Sequence, residues 1–226
     1  MKAVRVFAAA LVAAILLCGC FGGDPAVAKA GRKLMETYVS EQFGRGAKLE
    51  SCDQLVRRPA ADRLESTSWV HGDIAVRGGE KIGYWANTAD GAIFTNERLP
   101  ELSAATAALL SEVLGVPGAV AHVYPVLFTA DEPLHGYLPV TVGDMRSYAA
   151  AALTDGDVIL RISAGGPGTI PDELAAELAE TWSGVSLTWY VLPDDALPTQ
   201  AEADDFRFWH EREGESTVIQ TEDYRE

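Results

Sequence analysis

Cysteine is scarce in this chain, so disulfide bonds cannot be its main source of stability. The sequence holds three cysteines, Cys18, Cys20 and Cys52, and the first two lie close to the amino terminus. If Cys18 is removed with an export signal and the Cys20 thiol is modified, Cys52 has no partner for an intramolecular disulfide. Cys52 is flanked by Ser51 and Asp53, and no neighbouring His or Lys marks a base that would activate its thiol. We therefore interpret Cys52 as a structural residue.

Positive charge is also scarce, and it forms no patch. The chain has 18 Lys and Arg against 33 Asp and Glu, which gives a formal charge of −15 at pH 7. A surface of this sign repels phosphate backbones and anionic head groups. We therefore expect no nucleic-acid partner.

Recognisable catalytic and metal-binding motifs are missing from the sequence. It contains no G-x-S-x-G or S-x-x-K pattern, and its four histidines are scattered without the spacing of H-E-x-x-H. The sequence therefore predicts no cofactor, no metal and no catalytic residue. A hydrolase acting on wall sugar or peptide stays open, because a pair of catalytic carboxylates meets only in the folded chain.

No apolar run is long enough to span a bilayer, but a shorter one lies near the amino terminus. Val6–Leu17 is uncharged and follows Lys2 and Arg5. Its length falls well short of the roughly 20 residues that a transmembrane helix needs. A positive start followed by a short apolar run is typical of an export signal.

The residues that follow this run, Leu17-Cys18-Gly19-Cys20, resemble the lipobox of bacterial lipoproteins. The resemblance implies that Cys20 receives a diacylglyceryl group, that the bond after Gly19 is cut, and that acyl chains anchor the protein to a membrane. Residues 1–19 are then the signal peptide, and residues 20–24 are the lipidated cysteine and a short tether. Secretion after cleavage at Ala26-Val27-Ala28 is the alternative. The predicted location is the cell envelope, on a membrane surface outside the cytoplasm.

The rest of the chain predicts an α+β protein with two modules and an acidic tail. Residues 25–115 indicate a helix capped by Asp24, an antiparallel meander and a second helix that ends at Gly115. Residues 116–193 alternate strands and helices, which predicts a small sheet with helices on a face. Residues 194–226 are predicted to be partly mobile, with a short strand near Ser216–Thr221. The strands predicted for the meander are Lys48–Leu55, Ser68–Arg77, Lys81–Trp85 and Ala92–Thr95.

The first module resembles small exported modules of the PepSY or cystatin-like kind. The resemblance lies in a helix from Ala26 to Phe43, followed by strands that carry Ile82-Gly83-Tyr84-Trp85, Asp90-Gly91 and Ile93-Phe94. It implies a helix packed across a curved antiparallel sheet. It also implies that the module binds or inhibits an envelope peptidase.

A glycine-rich loop in the second module is a candidate anion site. Gly165, Gly166, Gly168 and Thr169 lie between a predicted strand and a predicted helix, where α/β proteins often bind phosphate on backbone amides. The loop matches no nucleotide-binding motif, and a plain turn with Thr169 as the helix cap explains the same residues.

Aromatic residues near the carboxyl terminus form a second candidate site. Phe206, Phe208 and Trp209 interrupt a polar segment and suggest a docking patch. Trp182 and Trp189, by contrast, fall on apolar stripes and are predicted to lie in the core. The leading interpretation is a non-enzymatic, membrane-anchored protein that binds an envelope protein or peptide.

Overall fold

The structure is a computed structural model that describes residues 23–60, 63–129, 133–193, 197–211 and 216–220. The predicted α+β class is confirmed. The chain divides into two compact units between Ile93 and Phe94. The sequence predicts this boundary at Gly115, but the helix that ends there packs against elements of the second unit.

The first unit is a helix on an antiparallel sheet. Its elements are α1 (Pro25–Phe43), β1 (Ala47–Leu49), β2 (Asp53–Ala60), β3 (Arg63–Val76) and β4 (Lys81–Asn87), with a short 3₁₀ turn at Gly44–Gly46. The central strand β3 pairs antiparallel with β4 on one side and with β1 and β2 in succession on the other. The expected meander is therefore present. Its β2–β3 hairpin is longer than the sequence predicts.

The predicted strand Lys48–Leu55 is interrupted at Ser51, which separates β1 from β2. The Ser51 hydroxyl accepts a hydrogen bond from the Asp73 amide at 3.0 Å, and its carbonyl accepts one from the Tyr84 hydroxyl at 2.8 Å. Gly72 allows this close approach, because a Cβ there would lie 2.4 Å from the Ser51 carbonyl oxygen. The interruption is decided by contacts with β3 and β4, which the local pattern does not reveal.

Helix α1 begins and packs as its sequence predicts. The Asp24 carboxylate accepts a hydrogen bond from the Ala26 amide at 2.8 Å, so the predicted N-cap is confirmed. The helix buries Gly31, Met35 and Val39 against the sheet. A Cβ at Gly31 would lie only 2.5 Å from a methyl group of Val70, so the small residue sets the distance between helix and sheet.

The second unit contains a five-stranded sheet with its three longer helices on one face. Its elements are β5 (Ile93–Thr95, which begins at the unit boundary), α2 (Leu99–Leu114), β6 (Val120–Phe128), β7 (Pro133–His135), β8 (Leu138–Pro139), α3 (Met145–Thr154), β9 (Val158–Gly166), α4 (Asp172–Thr181), β10 (Val185–Val191), α5 (Gln200–Ala203), α6 (Phe206–His210) and β11 (Ser216–Gln220). The strand order is β11-β10-β9-β6-β7, and β5 pairs separately with β8.

Strand direction in this sheet is mixed. Strands β9 and β10 are parallel and are joined through α4, whereas β6–β9, β6–β7 and β10–β11 are antiparallel pairs. One face is buried under α2, α3 and α4, and its core includes Trp189 at 0% and Trp182 at 6% exposure. The predictions of helices on a face and of buried tryptophans are confirmed.

The segment predicted as an acidic tail contributes three elements to the second unit. The predicted short strand is confirmed as β11, and α5 and α6 precede it. Gly19 and Cys20, on which the lipid-anchor prediction depends, lie outside the described residues. In the part of the chain that is described, no helix combines the length and apolar character needed to cross a membrane.

Candidate functional site

The outer face of the second sheet, opposite α2, α3 and α4, carries a cavity of about 610 Å³. Because side chains alternate between the two faces of a strand, the residues between the core positions of β6, β9 and β10 all point outward. Six of these outward residues line the cavity: His122, Tyr124, Arg161, Ser163, Ser186 and Thr188. We call this cavity, with its wall residues Leu99, Ile162 and Phe206, the outer-face pocket.

The strand register arranges the six floor residues in two rows. His122 lies opposite Ser163, which lies beside Thr188 on the next strand. In the second row, Tyr124 lies opposite Arg161, which lies beside Ser186. Directly opposed residues on neighbouring strands have Cβ atoms about 5 Å apart. The pocket floor is therefore a compact patch supplied by three strands and supported by the buried core beneath.

Helix α6, which is anchored through Trp209, contributes Phe206 to the wall of the pocket. Trp209 is 2% exposed, its indole N–H donates to the Ala203 carbonyl at 2.6 Å, and it packs in a small cluster with Val120 and Leu192. This anchoring places Phe206 at the pocket with 59% of its surface exposed. The Phe206 ring centroid lies 6.1 Å from that of His122.

Tyr124 supplies a second exposed ring at the pocket. It is 37% exposed, and its ring centroid lies 6.3 Å from that of His135 on β7. The turn after β7 approaches the ring closely, since a Cβ at Gly136 would lie 2.9 Å from Tyr124 Cε2. Gly136 also has φ of 74°, a conformation that favours glycine. The backbone on this side therefore supports the tyrosine ring.

His122 is the buried titratable group of the pocket. Burial lowers the pKa of its imidazole, and the nearby Asp204 and Asp205 only partly offset that effect. Burial also raises the pKa of Asp204, while hydrogen bonds from Gln200 and Ser103 counteract the rise. The His122 Nδ1 atom is enclosed without a hydrogen-bond partner among the described residues. Burial therefore disfavours the charged form of the imidazole.

Most of the polar groups on the floor can both donate and accept a hydrogen bond. The hydroxyls of Ser163, Ser186 and Thr188 can each donate and accept a hydrogen bond, as can a neutral imidazole. Arg161, which is exposed, adds donors. This set is suited to orienting a polar ligand whose other surface contacts the two exposed rings.

The glycine-rich candidate loop has packing roles at two of its positions. Gly165 and Gly166 end β9, and a Cβ on them would lie 2.7 Å from the Tyr190 carbonyl oxygen and 2.9 Å from a Val116 methyl group, respectively. The Gly168 carbonyl accepts the Trp189 indole N–H at 2.7 Å.

Thr169 does not cap the following helix, contrary to the turn that we expected. Helix α4 has Pro171 at the N-cap position, and Asp172 and Glu173 occupy its first turn. These acidic residues already complement the positive end of the helix dipole. Anion binding at this loop stays a prediction. The structure explains Gly165 and Gly166 by close packing, which leaves no space for a side chain.

The predicted docking patch separates into residues with different surroundings. Trp209 belongs to the core and Phe208 packs partly against the same cluster, because α6 turns these side chains toward the sheet. Phe206 alone of the three is highly exposed, and it lines the pocket. Within the described ranges, no group of three or more His, Cys, Asp or Glu residues is arranged to hold a metal ion.

No protein-family model, curated protein or solved structure matches this chain. The outer-face pocket was not predicted from the sequence. Its signal was present as polar residues that alternate with core residues on three strands, such as His122 and Tyr124 on β6. That pattern also fits an ordinary solvent-exposed face, and only the strand order brings the three sets of residues together.

Proposed function

We propose that this protein is a membrane-tethered binding protein of the cell envelope that holds a small ligand in the outer-face pocket. The observation that carries the proposal is a cavity of about 610 Å³ whose lining is mainly apolar, with a few polar side chains and two exposed aromatic rings, Tyr124 and Phe206. Ligand sites commonly have volumes of about 300–1,000 Å³ and combine apolar walls with a few placed polar groups. The floor belongs to strands of a packed sheet, so little ordering is needed when a ligand binds.

The start of the folded chain supports tethering at Cys20. The Asp24 amide donates to the Gln54 side chain at 2.6 Å, so three residues separate Cys20 from this anchored position of the first unit. Three residues span roughly 10 Å at full extension. Cleavage after Ala28 would instead remove the Asp24 N-cap and the first turn of α1, which supports lipidation over simple secretion.

A cavity-filling substitution tests the binding function. Ser163→Trp places a large ring on the pocket floor, and we expect it to abolish ligand-induced changes in the NMR spectrum during a fragment screen of the full chain. Glu180→Trp, on an exposed position of α4 on the opposite side of the sheet, is the matched control and retains them. The proposal fails if no compound perturbs the resonances of pocket residues, or if Ser163→Trp leaves such perturbations unchanged.

The two alternative functions have less support. The only support for peptidase inhibition by the first unit is its resemblance to exported inhibitory modules. Hydrolysis of wall material would need catalytic groups around the pocket, where His122 and Ser163 lie opposite each other. The small-ligand binding role needs only the shape and hydrogen-bonding groups that the pocket has.

A further inference from the structure

Whether the polar groups on the pocket floor donate or accept hydrogen bonds bears on the charge of the ligand that they can bind. An anion is bound best by groups that only donate, and a cation by groups that only accept. Ser163, Ser186 and Thr188 do both, His122 contributes an imidazole ring, and Arg161 is the one charged side chain in the lining. The rest of the lining is mainly apolar, so a ligand that combines hydroxyl groups, which also donate and accept, with an apolar surface matches this pocket.

The two exposed rings of the pocket favour a ligand that has a flat apolar surface. Tyr124 and Phe206 keep 37% and 59% of their surface exposed although each is positioned by packed neighbours, respectively the β7 turn and α6. Exposed aromatic rings of this kind bind flat apolar surfaces. A sugar ring combines such a C–H surface with hydroxyl groups at its edge.

Long-range charge also disfavours an anionic ligand. The chain carries a formal charge of −15, and Asp204 and Asp205 lie beside His122. This field repels anions from the pocket. Arg161 can still donate to the lone pairs of an uncharged hydroxyl or ring oxygen.

We propose that the outer-face pocket binds a neutral sugar, either free or as a unit of a longer glycan. This inference rests on the proposed small-ligand function and specifies its chemical class. The two rings contact the sugar face, while the hydroxyls of β9 and β10 and the Arg161 guanidinium orient its edge.

Binding of defined probes to the full chain tests the sugar class. The probes are methyl glucoside, N-acetylglucosamine, their β-linked disaccharides and an array of neutral glycans, with glucose 1-phosphate and indole as the anionic and apolar comparisons. We expect saturation-transfer NMR or the array to detect neutral sugars. Binding of single sugars indicates a free ligand, and binding only of array glycans indicates a polymer segment.

Variants of the exposed aromatics link binding to the pocket. Tyr124→Ala and Phe206→Ala should each weaken sugar binding by about tenfold, the loss expected for one stacking ring. Phe128→Ala is the matched control, because Phe128 lies on the same strand as Tyr124, is 60% exposed and does not line the pocket. Its affinity should equal that of the unmodified chain.

The outcomes separate the two proposals. If indole or glucose 1-phosphate binds in a Phe206-dependent manner while every neutral sugar fails, the sugar class is overturned and the binding function stands. Sugar binding that is unaffected by Tyr124→Ala and Phe206→Ala overturns the assignment to this pocket. If no probe and no fragment binds, both proposals are overturned.

Discussion

Burial at single residues sets the chemistry of the outer-face pocket. His122 is enclosed between the sheet and α6, and burial lowers the pKa of its imidazole despite the carboxylates of Asp204 and Asp205. Burial raises the pKa of Asp204 at the same time. The two shifts have the same cause, which is the partial burial of both side chains beside α6.

The His122 shift predicts a loss of stability in mild acid. Its folded-state pKa lies below the ordinary value of 6.5, so the unfolded chain takes up the proton first as pH falls. The free energy of unfolding therefore decreases below pH 6.5 until the folded-state pKa is reached. In His122→Gln this decrease should be shallower, as measured by urea unfolding between pH 7 and pH 5.

The matched control for this measurement is His135→Gln, at an exposed position on β7. It should keep the pH dependence of the unmodified chain. The raised pKa of Asp204 acts with the opposite sign, because it favours folding at low pH and that contribution is lost as pH rises above its ordinary value. Identical slopes for His122→Gln and the unmodified chain would contradict the prediction.

At the scale of elements, α5 closes an exposed edge of the second sheet. The Gln200 side chain donates to the Ala121 carbonyl at 2.6 Å and accepts from the Ala121 amide at 3.3 Å, as a neighbouring strand would. The Ser103 hydroxyl of α2 accepts from the Val123 amide at 3.1 Å. These side chains satisfy backbone groups at the edge of β6, which would otherwise invite pairing with another chain.

Substitutions of the two side chains should expose different backbone amides. Gln200→Ala removes the partner of Ala121, and we expect faster hydrogen exchange there with a stability loss of about 1 kcal/mol. Ser103→Ala should accelerate exchange at Val123 instead, and it serves as the crossed control. The interpretation is wrong if both variants accelerate the same amide or if neither does.

At the scale of the whole molecule, the charge and the amino-terminal segment bear on the membrane location that we propose. If the proposed signal peptide is removed, the loss of Lys2 and Arg5 changes the formal charge from −15 to −17. Such a charge gives the folded units no affinity for anionic lipid. Attachment to a membrane therefore depends on the acyl chains that we propose at Cys20.

Replacement of the proposed lipidated residue tests this attachment. Cys20→Ser should move the protein from the detergent-rich phase to the aqueous phase after phase separation, because acyl chains supply the membrane affinity. Cys52→Ser, the matched control, should remain in the detergent-rich phase. Continued partitioning of Cys20→Ser into detergent, or a mature amino terminus at Lys29 by mass spectrometry, would contradict the lipid anchor.

Local sequence patterns alone determined the α+β class, the Asp24 cap of α1 and the burial of Trp182 and Trp189, because helix periodicity and strand alternation act over neighbouring residues. Tertiary structure decided the interruption at Ser51, the burial of Trp209 and the closure of the β6 edge by Gln200. It also assembled the outer-face pocket, since strand order and register bring together side chains that are distant along the chain. Such contacts depend on how complete elements pack, so no local pattern encodes them.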